Sequence, residues 1–510
     1  MRMTLCLLLA ATGCSGGSLL DADPSAAPGA AGKADDPRAE RLDALVVLAE
    51  RTDLQKPRAL PTREERGRAV YDALRATAER TQAPLLAHLA SERIAHRRFY
   101  VSNLVAVRGV TRPQLAAIAR LPGVHHVASD SPRRILPPAS ATAPEVTRVV
   151  ASIGKNLVRI GADRVWSEFG ATGQGIVVAG QDSGVEWTHP ALRGKYRGGA
   201  AGAVAHDYSW HDAIARPVGG GPGTSRCGYD NAAPCDDHGH GTHTMGTIVG
   251  DDGAGNQIGV APGAQWIACR NMDDGAGRPS TYIECFEWFL APYPQGQDAM
   301  RAGVPSLAPH VINNSWGCPA SEECSGSEMR PVLEALSAAG VYVVASAGNE
   351  GPGCATIGDQ PAWISDLTLS VGAFDHRNDA IAGFSSRGPS ALDGLVGPDL
   401  VAPGVSIRSS VPGGGYESGA WSGTSMAGPH VVGVVALLWS ADATLRGRLD
   451  ETTLLLRATS QPKTTGESCG GVAGSAIPNN TFGHGIVDAH AAVRARVRPD
   501  IKGASHPLAR

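Results

Sequence analysis

The sequence predicts an α/β domain with a mostly parallel sheet between helices, preceded by a smaller α+β unit. Apolar strands without polar alternation, at residues 176–180 and 341–348, interleave with helix-like segments at 328–339 and 425–441. Continuous apolar strands between helices are typical of a parallel sheet that is covered on both faces. A separate run of strand and helix patterns, about 90 residues long, predicts the smaller unit ahead of this domain.

The composition excludes several classes of function. The 510 residues suffice for one large domain with a smaller companion and a sizeable core. The 45 basic and 49 acidic residues give a net charge of -4, so the chain has no field that would hold nucleic acid or anionic lipid. No apolar stretch reaches about 18 residues, so no transmembrane helix is predicted. The 64 glycines and 35 prolines favour many turns over long helical bundles.

The elements of the smaller unit follow one another from residue 43. LDALVVLAE indicates a strand, residues 61–93 indicate a long helix, and RRFYVSNLVAVRG from residue 97 indicates a second strand. TRPQLAAIARLPG from residue 111 then predicts a helix, with Pro near its start and Gly after its end. The strand VHHVAS closes the unit.

The first residues predict an export signal. Arg2 precedes a short apolar run, residues 5–11, which ends in small residues before Cys14. The ending ATGC resembles a bacterial lipobox, in which Cys14 becomes the lipidated first residue of the mature chain. Ordinary cleavage with free secretion is the alternative. Either outcome places the protein outside the cytoplasm, secreted or lipid-anchored at a bacterial cell envelope.

The chain is therefore predicted to have six segments. Stretches rich in Ser, Gly, Ala and Pro without hydrophobic periodicity indicate a flexible tether and a linker, and the linker is a natural place for cleavage. In chain order the segments are the signal peptide 1–13, the tether 14–42, the α+β unit 43–130, the linker 131–155, the α/β domain 156–495 and a loose tail 496–510.

The cysteine count predicts disulfides. Without Cys6 and Cys14, the ten cysteines become eight, an even number that is typical of an exported, disulfide-bonded chain. Short polar loops favour the pairs Cys227–Cys235 and Cys318–Cys324. A zinc cage is the alternative, but no two cysteines have the close spacing of a zinc knuckle. Four cysteines stay unassigned: Cys269, Cys285, Cys354 and Cys469.

Three polar residues stand where apolar strands end or helices begin. Asp182 follows a strand in GQDSGVEWTHPAL, and Asn349 ends another in VVASAGNEGPG. Ser425 lies in WSGTSMAGPHVVGVVALLW, at the amino end of an apolar helix, which favours a developing negative charge. Each residue also has a purely structural interpretation, since Asp and Asn form turns and Ser caps helices.

The histidine segment DDHGHGTHTMGTIVG fits two chemistries. One is a general base, His240, at the start of a helix, with the neighbouring histidines as bystanders. The other is a metal cluster, because neutral imidazoles and carboxylates together bind zinc. The residues of that cluster would be Asp236, Asp237, His238, His240 and His243. Taken alone, the segment does not decide between them.

Considered together, these residues favour nucleophilic catalysis. An Asp, a His and a Ser supply an orienting carboxylate, a base near neutral pH and a nucleophile. Asn349 adds an amide donor for an oxyanion. The chain order Asp182, His240, Ser425 is that of the subtilisin arrangement, and no G-x-S-x-G surrounds Ser425.

Four segments, DSGVEWTHPAL, HGTHTMG, SAGNEG and GTSMAGPHV, resemble the signature blocks of subtilisin-like serine proteases, the subtilase family. Further stretches agree, namely IGVAPGA from residue 258, INNSWG from 312, FSSRGPS from 384 and PDLVAPGVSI from 398. The resemblance covers roughly residues 155–495. GADRVW and EWTHP are similar to the bacillopeptidase F branch of this family.

The resemblance implies a subtilisin-like three-layer domain and a serine endopeptidase that works through an acyl-enzyme. Asp182 would orient the imidazole of His240, the base, and Ser425 would be the nucleophile. Asn349 would donate to the oxyanion. The substrate cleft and the primary specificity pocket would be lined by Ser315, Trp316, Gly317, Ser346, Ala347 and Gly348. These stretches hold no acidic side chain, so broad cleavage with an apolar preference is expected, with the large Trp316 narrowing the cleft.

The resemblance further implies that the unit 43–130 is an inhibitory propeptide, released by self-cleavage within the linker 131–155. A permanent second domain is the alternative. No cofactor is implied for the chemistry. Structural calcium is a family expectation, but the loop VGDDGAGNQ lacks the acidic spacing of a recognised calcium loop. The expected partners are protein or peptide substrates and the chain's own propeptide, and the expected state is a monomer. A secreted binding protein on an inactive protease scaffold is the non-enzyme alternative.

Overall fold

The structure is a computed structural model that describes residues 40–134, 146–147, 152–199, 203–218, 225–319 and 328–497. The predicted signal peptide and Cys14 lie outside the described residues, as do most of the tether, the linker and the tail. The predicted pair Cys318–Cys324 also lies outside them, because Cys324 is not described.

The small unit is a four-stranded antiparallel sheet with two longer helices. The strand order is β2-β3-β1-β4. The elements are β1 (Leu42–Leu48), α1 (Gln55–Arg58), α2 (Arg63–Ser91), β2 (Ala95–Phe99), β3 (Leu104–Val110), α3 (Arg112–Ile118) and β4 (Val124–Ser129). The prediction of one strand from residue 97 is wrong: the chain turns at residues 100–103, where Asn103 has a φ of 50°, so β2 and β3 form a hairpin.

The helices α2 and α3 begin at reciprocal caps. The Thr62 hydroxyl accepts from the Glu65 N–H, and the Glu65 carboxylate accepts from the Thr62 N–H. Thr111 and Gln114 make the same exchange at α3. Each exchange satisfies backbone amides that the first helical turn leaves without partners, which fixes where the helix starts.

Strand β1 is apolar from Ala44 to Leu48, where both faces of its sheet are buried. Leu45 and Val47 belong to the hydrophobic cluster that contains Phe286 of the large domain. Val46 packs in a separate cluster with residues of α2 and α3. Since successive side chains of a strand point to opposite faces, the small unit has its own core on one face and docks with the other.

The large domain contains the remaining elements. Its strands, with the short pairs that flank it, are β5 (Arg133–Arg134), β6 (Val146–Thr147), β7 (Ser152–Ile153), β8 (Val177–Asp182), β9 (Trp210–Asp212), β10 (Asn256–Gln257), β11 (Gln265–Arg270), β12 (Met272–Asp273), β13 (Ala276–Gly277), β14 (Val311–Asn314), β15 (Cys318–Pro319), β16 (Tyr342–Ser346), β17 (Asp359–Gln360), β18 (Leu369–Asp375), β19 (Ala380–Ile381), β20 (Leu400–Pro403), β21 (Ser410–Val411) and β22 (Gly415–Glu417). Its helices are α4 (Lys155–Arg159), α5 (Ala162–Phe169), α6 (His240–Val249), α7 (Pro279–Leu290), α8 (Ala299–Ala302), α9 (Arg330–Ala338), α10 (Thr424–Ala441), α11 (Leu449–Thr459) and α12 (Ala489–Val497).

The central sheet has the order β19-β18-β16-β14-β8-β11-β9, with β20 paired to β18. Every pairing is parallel except that of β18 with β19. Val178 and Val344 face the cluster that contains α10, whereas Ala179 and Val343 face the cluster that contains α7 and α9. The predicted α/β domain with a mostly parallel, doubly covered sheet is confirmed.

Helix α10 is long and apolar enough to cross a membrane by composition alone. However, 83% of its most apolar window is buried inside the fold. Its residues pack in the main hydrophobic cluster together with strands of the central sheet. The apolar character of α10 is therefore that of a core helix.

Three disulfides occur among the described residues. Cys227–Cys235 is the predicted pair, and it is confirmed. The other two, Cys269–Cys285 and Cys354–Cys469, join residues that are 16 and 115 positions apart. The first ties β11 to α7, and the second ties the segment after Asn349 to the carboxyl-terminal part of the domain.

Candidate active site

Asp182 and His240 form a buried pair at the carboxyl edge of the sheet. Asp182 is the last residue of β8 and His240 is the first residue of α6. His240 Nδ1 lies 2.8 and 2.9 Å from the two carboxylate oxygens of Asp182. Both side chains are only 3% exposed. Because Asp182 engages Nδ1, Nε2 is the nitrogen that remains for proton transfer.

The start of α6 is held by Asp236, which sequence reasoning had considered only as a metal ligand. One of its carboxylate oxygens accepts from the Gly239 N–H at 2.7 Å, and the other accepts from the Thr242 N–H at 2.8 Å. Gly239 has a φ of 95°, a conformation that favours glycine. A β-carbon at Gly241 would collide with the Gly184 carbonyl oxygen. These contacts bring His240 against the turn that follows Asp182.

The three histidines differ in their electrostatics. Burial lowers the pKa of His240, but the charge and hydrogen bond of Asp182 outweigh burial and raise it above the ordinary value. Burial lowers the pKa of His243 to about 3, and its Nε2 lies 3.0 Å from the Ile407 carbonyl oxygen. Burial, followed by the charge of His240, lowers the pKa of His238. Only His240 is therefore set to gain a proton near neutral pH.

The side chains of the metal-cluster hypothesis do not converge. Asp182 holds His240, a backbone carbonyl holds His243, and Asp236 accepts from the N–H groups of α6. Asp237 accepts from the Arg270 guanidinium at 2.6 Å. Across the described part of the chain, no three His, Cys, Asp or Glu side chains are grouped to hold a metal ion.

Ser425 lies in the first turn of α10, as its sequence context predicts. Its Oγ donates to the Ser315 carbonyl oxygen at 3.1 Å, and among the described residues no hydrogen bond joins it to His240. Trp421, four residues earlier, lies beside both histidines of α6: the ring centroids are 6.2 Å apart for His240 and 4.8 Å for His243. Trp421 thus links the start of α10 to the start of α6.

Asn349 lies directly beside the start of α10. Its Oδ1 accepts from both the N–H and the hydroxyl of Thr424, each at 2.9 Å. Since Oδ1 is engaged in this way, the Nδ2 group points away from Thr424 and can donate elsewhere. Thr424 is a functional residue that sequence reasoning missed, although it lies within the GTSMAGPHV block.

The two stretches predicted to line the cleft are mostly buried beneath α10. The Ser315 hydroxyl donates to the Ser425 carbonyl at 3.0 Å, and the Ser346 hydroxyl donates to the Thr424 carbonyl at 2.9 Å. Ala347 is fully buried, and its N–H donates to the Val371 carbonyl. These contacts hold the first turn of α10 onto the ends of β14 and β16.

Trp316 lies in the core and is only 4% exposed. Its ring stacks on Tyr282 of α7, with centroids 4.0 Å apart and an angle of 12° between the planes. Gly317 leaves room beside it for the Asp359 carboxylate, which a β-carbon would meet. The Trp316 ring therefore packs into the core beside Tyr282.

An acidic side chain does stand beside the predicted pocket, outside the two stretches inspected in the sequence. Glu350 is exposed, and its carboxylate accepts from the Ser386 hydroxyl at 2.8 Å. Gly348 has a φ of 105°, and a β-carbon there would collide with the Glu350 carboxylate. The expectation of a site without acidic groups thus holds for the six residues that are predicted to line the cleft. It does not hold for their immediate surroundings, where Glu350 lies. The signal was visible in SAGNEG, one residue after Asn349.

Comparisons with known proteins show the family of this chain. The family model of the subtilase family matches residues 173–485. Bacillopeptidase F of Bacillus subtilis (strain 168) is 36% identical over 464 residues, which cover 86% of this chain and 29% of that protein. Subtilisin E of the same strain is 34% identical over 56% of this chain and 62% of that protein. The subtilisin of Bacillus pumilus is 33% identical over 56% of this chain and 86% of that protein.

The chain belongs to the subtilase family of serine peptidases. It spans less than two thirds of the length of bacillopeptidase F and of subtilisin E.

Proposed function

We propose that this protein is a serine endopeptidase that hydrolyses peptide bonds through an acyl-enzyme formed on Ser425. The observation that carries the proposal is the buried Asp182–His240 pair, whose short hydrogen bonds fix the imidazole and raise its pKa. Membership of the subtilase family supports it. Helix α6, which begins at His240, packs against both β8 and α10, and this packing supports an Asp-His-Ser mechanism.

In the proposed reaction, neutral His240 takes the proton of Ser425 Oγ while the oxygen attacks the peptide carbonyl. The hydroxyl donates to the Ser315 carbonyl in the structure, so it must exchange this acceptor for His240 Nε2 before the attack. Protonated His240 then gives the proton to the leaving amine. Water, deprotonated in turn by His240, releases the acyl group.

Two donors would hold the tetrahedral oxyanion: the Nδ2 group of Asn349 and the backbone N–H of Ser425. The backbone donor lies in the first turn of α10, where N–H groups lack helical partners and the helix dipole favours negative charge. The amide donor is oriented in advance, because Thr424 holds its oxygen. Donors that are fixed before reaction stabilise the transition state without a cost of reorganisation.

Replacing Asn349 with alanine is expected to lower kcat by roughly two to three orders of magnitude, about 3–4 kcal/mol of barrier, with little change in KM. The reason is that this donor binds charge that develops only in the transition state. Steady-state kinetics on a peptide substrate measures the effect. Asn378→Ala, in an exposed turn, serves as the control. An unchanged kcat in Asn349→Ala would remove the oxyanion role.

A serine-directed fluorophosphonate tests the proposed function itself. The processed wild-type protein is expected to be labelled at Ser425, with complete loss of peptide hydrolysis, and Ser425→Ala is expected to stay unlabelled. Hydrolysis that survives labelling, and that a chelator stops, would favour a metal mechanism. A folded, processed protein that neither reacts with the probe nor hydrolyses peptides would be an inactive scaffold.

The proposed substrates are proteins or peptides cleaved with broad preference. The Ala276–Gly277 edge strand leads toward the site, because β12 beside it follows Asn271, whose N–H donates to the Asp182 carbonyl at 3.0 Å. An extended peptide can add to such an edge through main-chain hydrogen bonds alone, which impose little side-chain selection. Apolar substrate side chains are the expected preference. Beside the Glu350 carboxylate, basic substrate side chains would also be accepted.

In the proposed zymogen, the first residues of the linker, which follow the unit 43–130 directly, block this same edge. The backbone of Arg133–Arg134 pairs antiparallel with Ala276–Gly277. A chain segment on that edge occupies the path that a bound peptide would take. Its attachment to the docked unit keeps it there at high effective concentration. Cleavage in the linker 131–155 would end this attachment and allow the unit to leave.

Buried acids at the docking surface make release favourable at higher pH. Burial raises the pKa of Glu287 to about 8, although the N–H groups of Tyr100 and Val101 favour its ionised form. Burial also raises the pKa of Asp130 to about 6. A raised pKa in the docked state means that docking takes up protons. The contribution of each acid to the free energy of docking is therefore full below the ordinary pKa of that acid. It is lost as the pH rises through about 6 for Asp130 and about 8 for Glu287.

The proposal includes no cofactor. In the loop considered for calcium, Asp252 accepts from the Asn256 side chain and the Tyr416 hydroxyl, and Asp251 accepts from the Gly253 N–H. These oxygens point at hydrogen-bond donors instead of a common centre, so the loop does not fit calcium in this arrangement. We assign no calcium ion to it.

The proposed enzyme works outside the cytoplasm as a monomer, either secreted or anchored through a lipid on Cys14. The three disulfides of the described residues support export, since such bonds persist in oxidising compartments. Lipid attachment at Cys14 is proposed from its sequence context alone, and mass measurement of the mature amino terminus tests it.

A further inference from the structure

Three residues of the large domain, Arg216, Arg278 and Ser280, hold two carboxylates of the small unit. We call them the acid-binding site. The Asp43 carboxylate accepts from Arg216 at 2.6 Å and from Arg278 at 2.8 Å. The Asp130 carboxylate accepts from the N–H of Ser280 at 2.8 Å and from its hydroxyl at 2.7 Å. The site is therefore occupied by carboxylates in the zymogen form.

The charge of the acid-binding site requires an anion. Burial lowers the pKa of Arg278, the neighbouring Arg216 lowers it further, and Asp130 and Asp43 oppose both effects. Arg278 Nε has no hydrogen-bond partner among the described residues, although Arg278 is more than nine-tenths buried. Loss of the small unit would leave two neighbouring guanidinium groups without their carboxylate. A cavity of about 590 Å³, lined in part by Arg41, Arg216 and Arg278, already borders them.

The acid-binding site continues the edge on which a peptide would bind. Arg134 pairs with Ala276, and Arg133 pairs with Gly277. Arg278 and α7 follow directly, so a chain that runs along this edge passes the site upstream of the cleft. Asp130 is three residues before Arg133, a reach of about 10 Å for an extended chain. A substrate in the same register would carry a side chain to Ser280 at that position.

We propose that, in the processed enzyme, the acid-binding site accepts an acidic side chain of the substrate, three residues upstream of the residue that pairs with Gly277. This inference rests on the proposed function and deepens it, because it names a substrate class. Ser280 supplies two hydrogen bonds to the carboxylate, and the guanidinium groups of Arg278 and Arg216 supply the opposite charge. In the zymogen, Asp43 and Asp130 of the propeptide occupy the acid-binding site. Acidic substrates would bind at the same site after the propeptide has left.

The chain's own linker provides the substrate for the test. Fluorescence-quenched peptides of residues 128–145 are made with Asp130, with Asp130→Asn and with Asp130→Lys, and a truncated peptide begins at Pro132. The processed wild-type enzyme is assayed on all four at pH 8. Since the pKa of Asp130 is raised only to about 6 even when buried, its side chain is a carboxylate under these conditions.

The Asp130 peptide is expected to be cleaved with a kcat/KM about tenfold above that of the Asn peptide, since charge-assisted hydrogen bonds are lost. The Lys peptide should be poorer still, and the truncated peptide should equal the Asn peptide. The difference should lie in KM, because this contact is the same in the ground and transition states. In each of the enzyme variants Ser280→Ala and Arg278→Gln, the ratio of kcat/KM for the Asp peptide to that for the Asn peptide should fall several-fold, because each variant removes one of the groups that hold the carboxylate.

Arg301→Gln is the control enzyme, because Arg301 is 86% exposed and lies outside the site. It should keep both activity and the Asp preference. Equal cleavage of the Asp and Asn peptides by the wild type would overturn the inference while the proposed function stands. A preference that persists undiminished in both Ser280→Ala and Arg278→Gln would also overturn it. An enzyme that cleaves none of the peptides and does not react with a fluorophosphonate would overturn the proposed function and this inference together.

Discussion

Ser425→Ala is expected to lower kcat by roughly six orders of magnitude, the largest effect of any single change in this protein. Without the hydroxyl no acyl-enzyme forms, and the remaining donors and His240 can only assist a direct attack by water. The same variant is expected to keep its amino-terminal unit, whereas the wild type loses it. Steady-state kinetics and mass measurement of both purified proteins test the two results.

Ser422→Ala is the matched control for this experiment. Ser422 lies three residues before Ser425 and is buried, and its hydroxyl accepts from the Ser406 N–H at 3.0 Å. This variant should be processed like the wild type. If the wild type and Ser425→Ala shorten equally in a host without a protease that cuts the linker, self-processing is wrong. If Ser425→Ala retains near-normal turnover, the nucleophile is another group.

Asp182→Asn is expected to lower kcat by about four orders of magnitude, because the amide stabilises the wrong tautomer of His240 and no longer balances its positive charge. The pH profile should change as well. His240 acts as a base only when neutral, and Asp182 raises its pKa. Activity of the wild type should therefore rise with pH through a midpoint above the ordinary imidazole value, and the midpoint should move to lower pH in Asp182→Asn.

The measurement for this second variant is kcat/KM across pH 5 to 10 on one peptide. Asp298→Asn, which replaces an exposed helix cap, is the control and should keep the wild-type profile. An unchanged midpoint in Asp182→Asn would show that the titrating group is not His240. A rate close to that of the wild type would show that the carboxylate does not orient the base.

The places of Asp182 and Ser425 in the fold were predictable because each stands where a local pattern ends. Asp182 follows an apolar strand, and Ser425 precedes an apolar helix, so the parallel sheet alone places both at one edge. The histidine segment was ambiguous by itself. What resolves it is the partners of His240 and His243, Asp182 and the Ile407 carbonyl, which lie far away in the chain.

The features that the sequence did not predict depend on contacts between distant segments. Thr424 orients Asn349 from 75 positions away, and no local pattern marks a threonine for that task. The hairpin between β2 and β3 was missed because apolar residues flank the turn on both sides and only Ser102 and Asn103 interrupt them. Cys354 and Cys469 could not be paired by spacing, since a long chain separation permits many connections.

The Cys354–Cys469 disulfide affects how a protease withstands cleavage by other molecules of the same protease. The two cysteines are 115 positions apart, and the chain between them includes Ser425 and exposed loops such as residues 391–395, where a neighbouring molecule could cut. A single nick there leaves both fragments covalently joined, with the serine-bearing piece still attached next to Asn349. The enzyme is therefore expected to stay active for longer during autolysis, because the disulfide holds together two fragments that would separate in a chain without it.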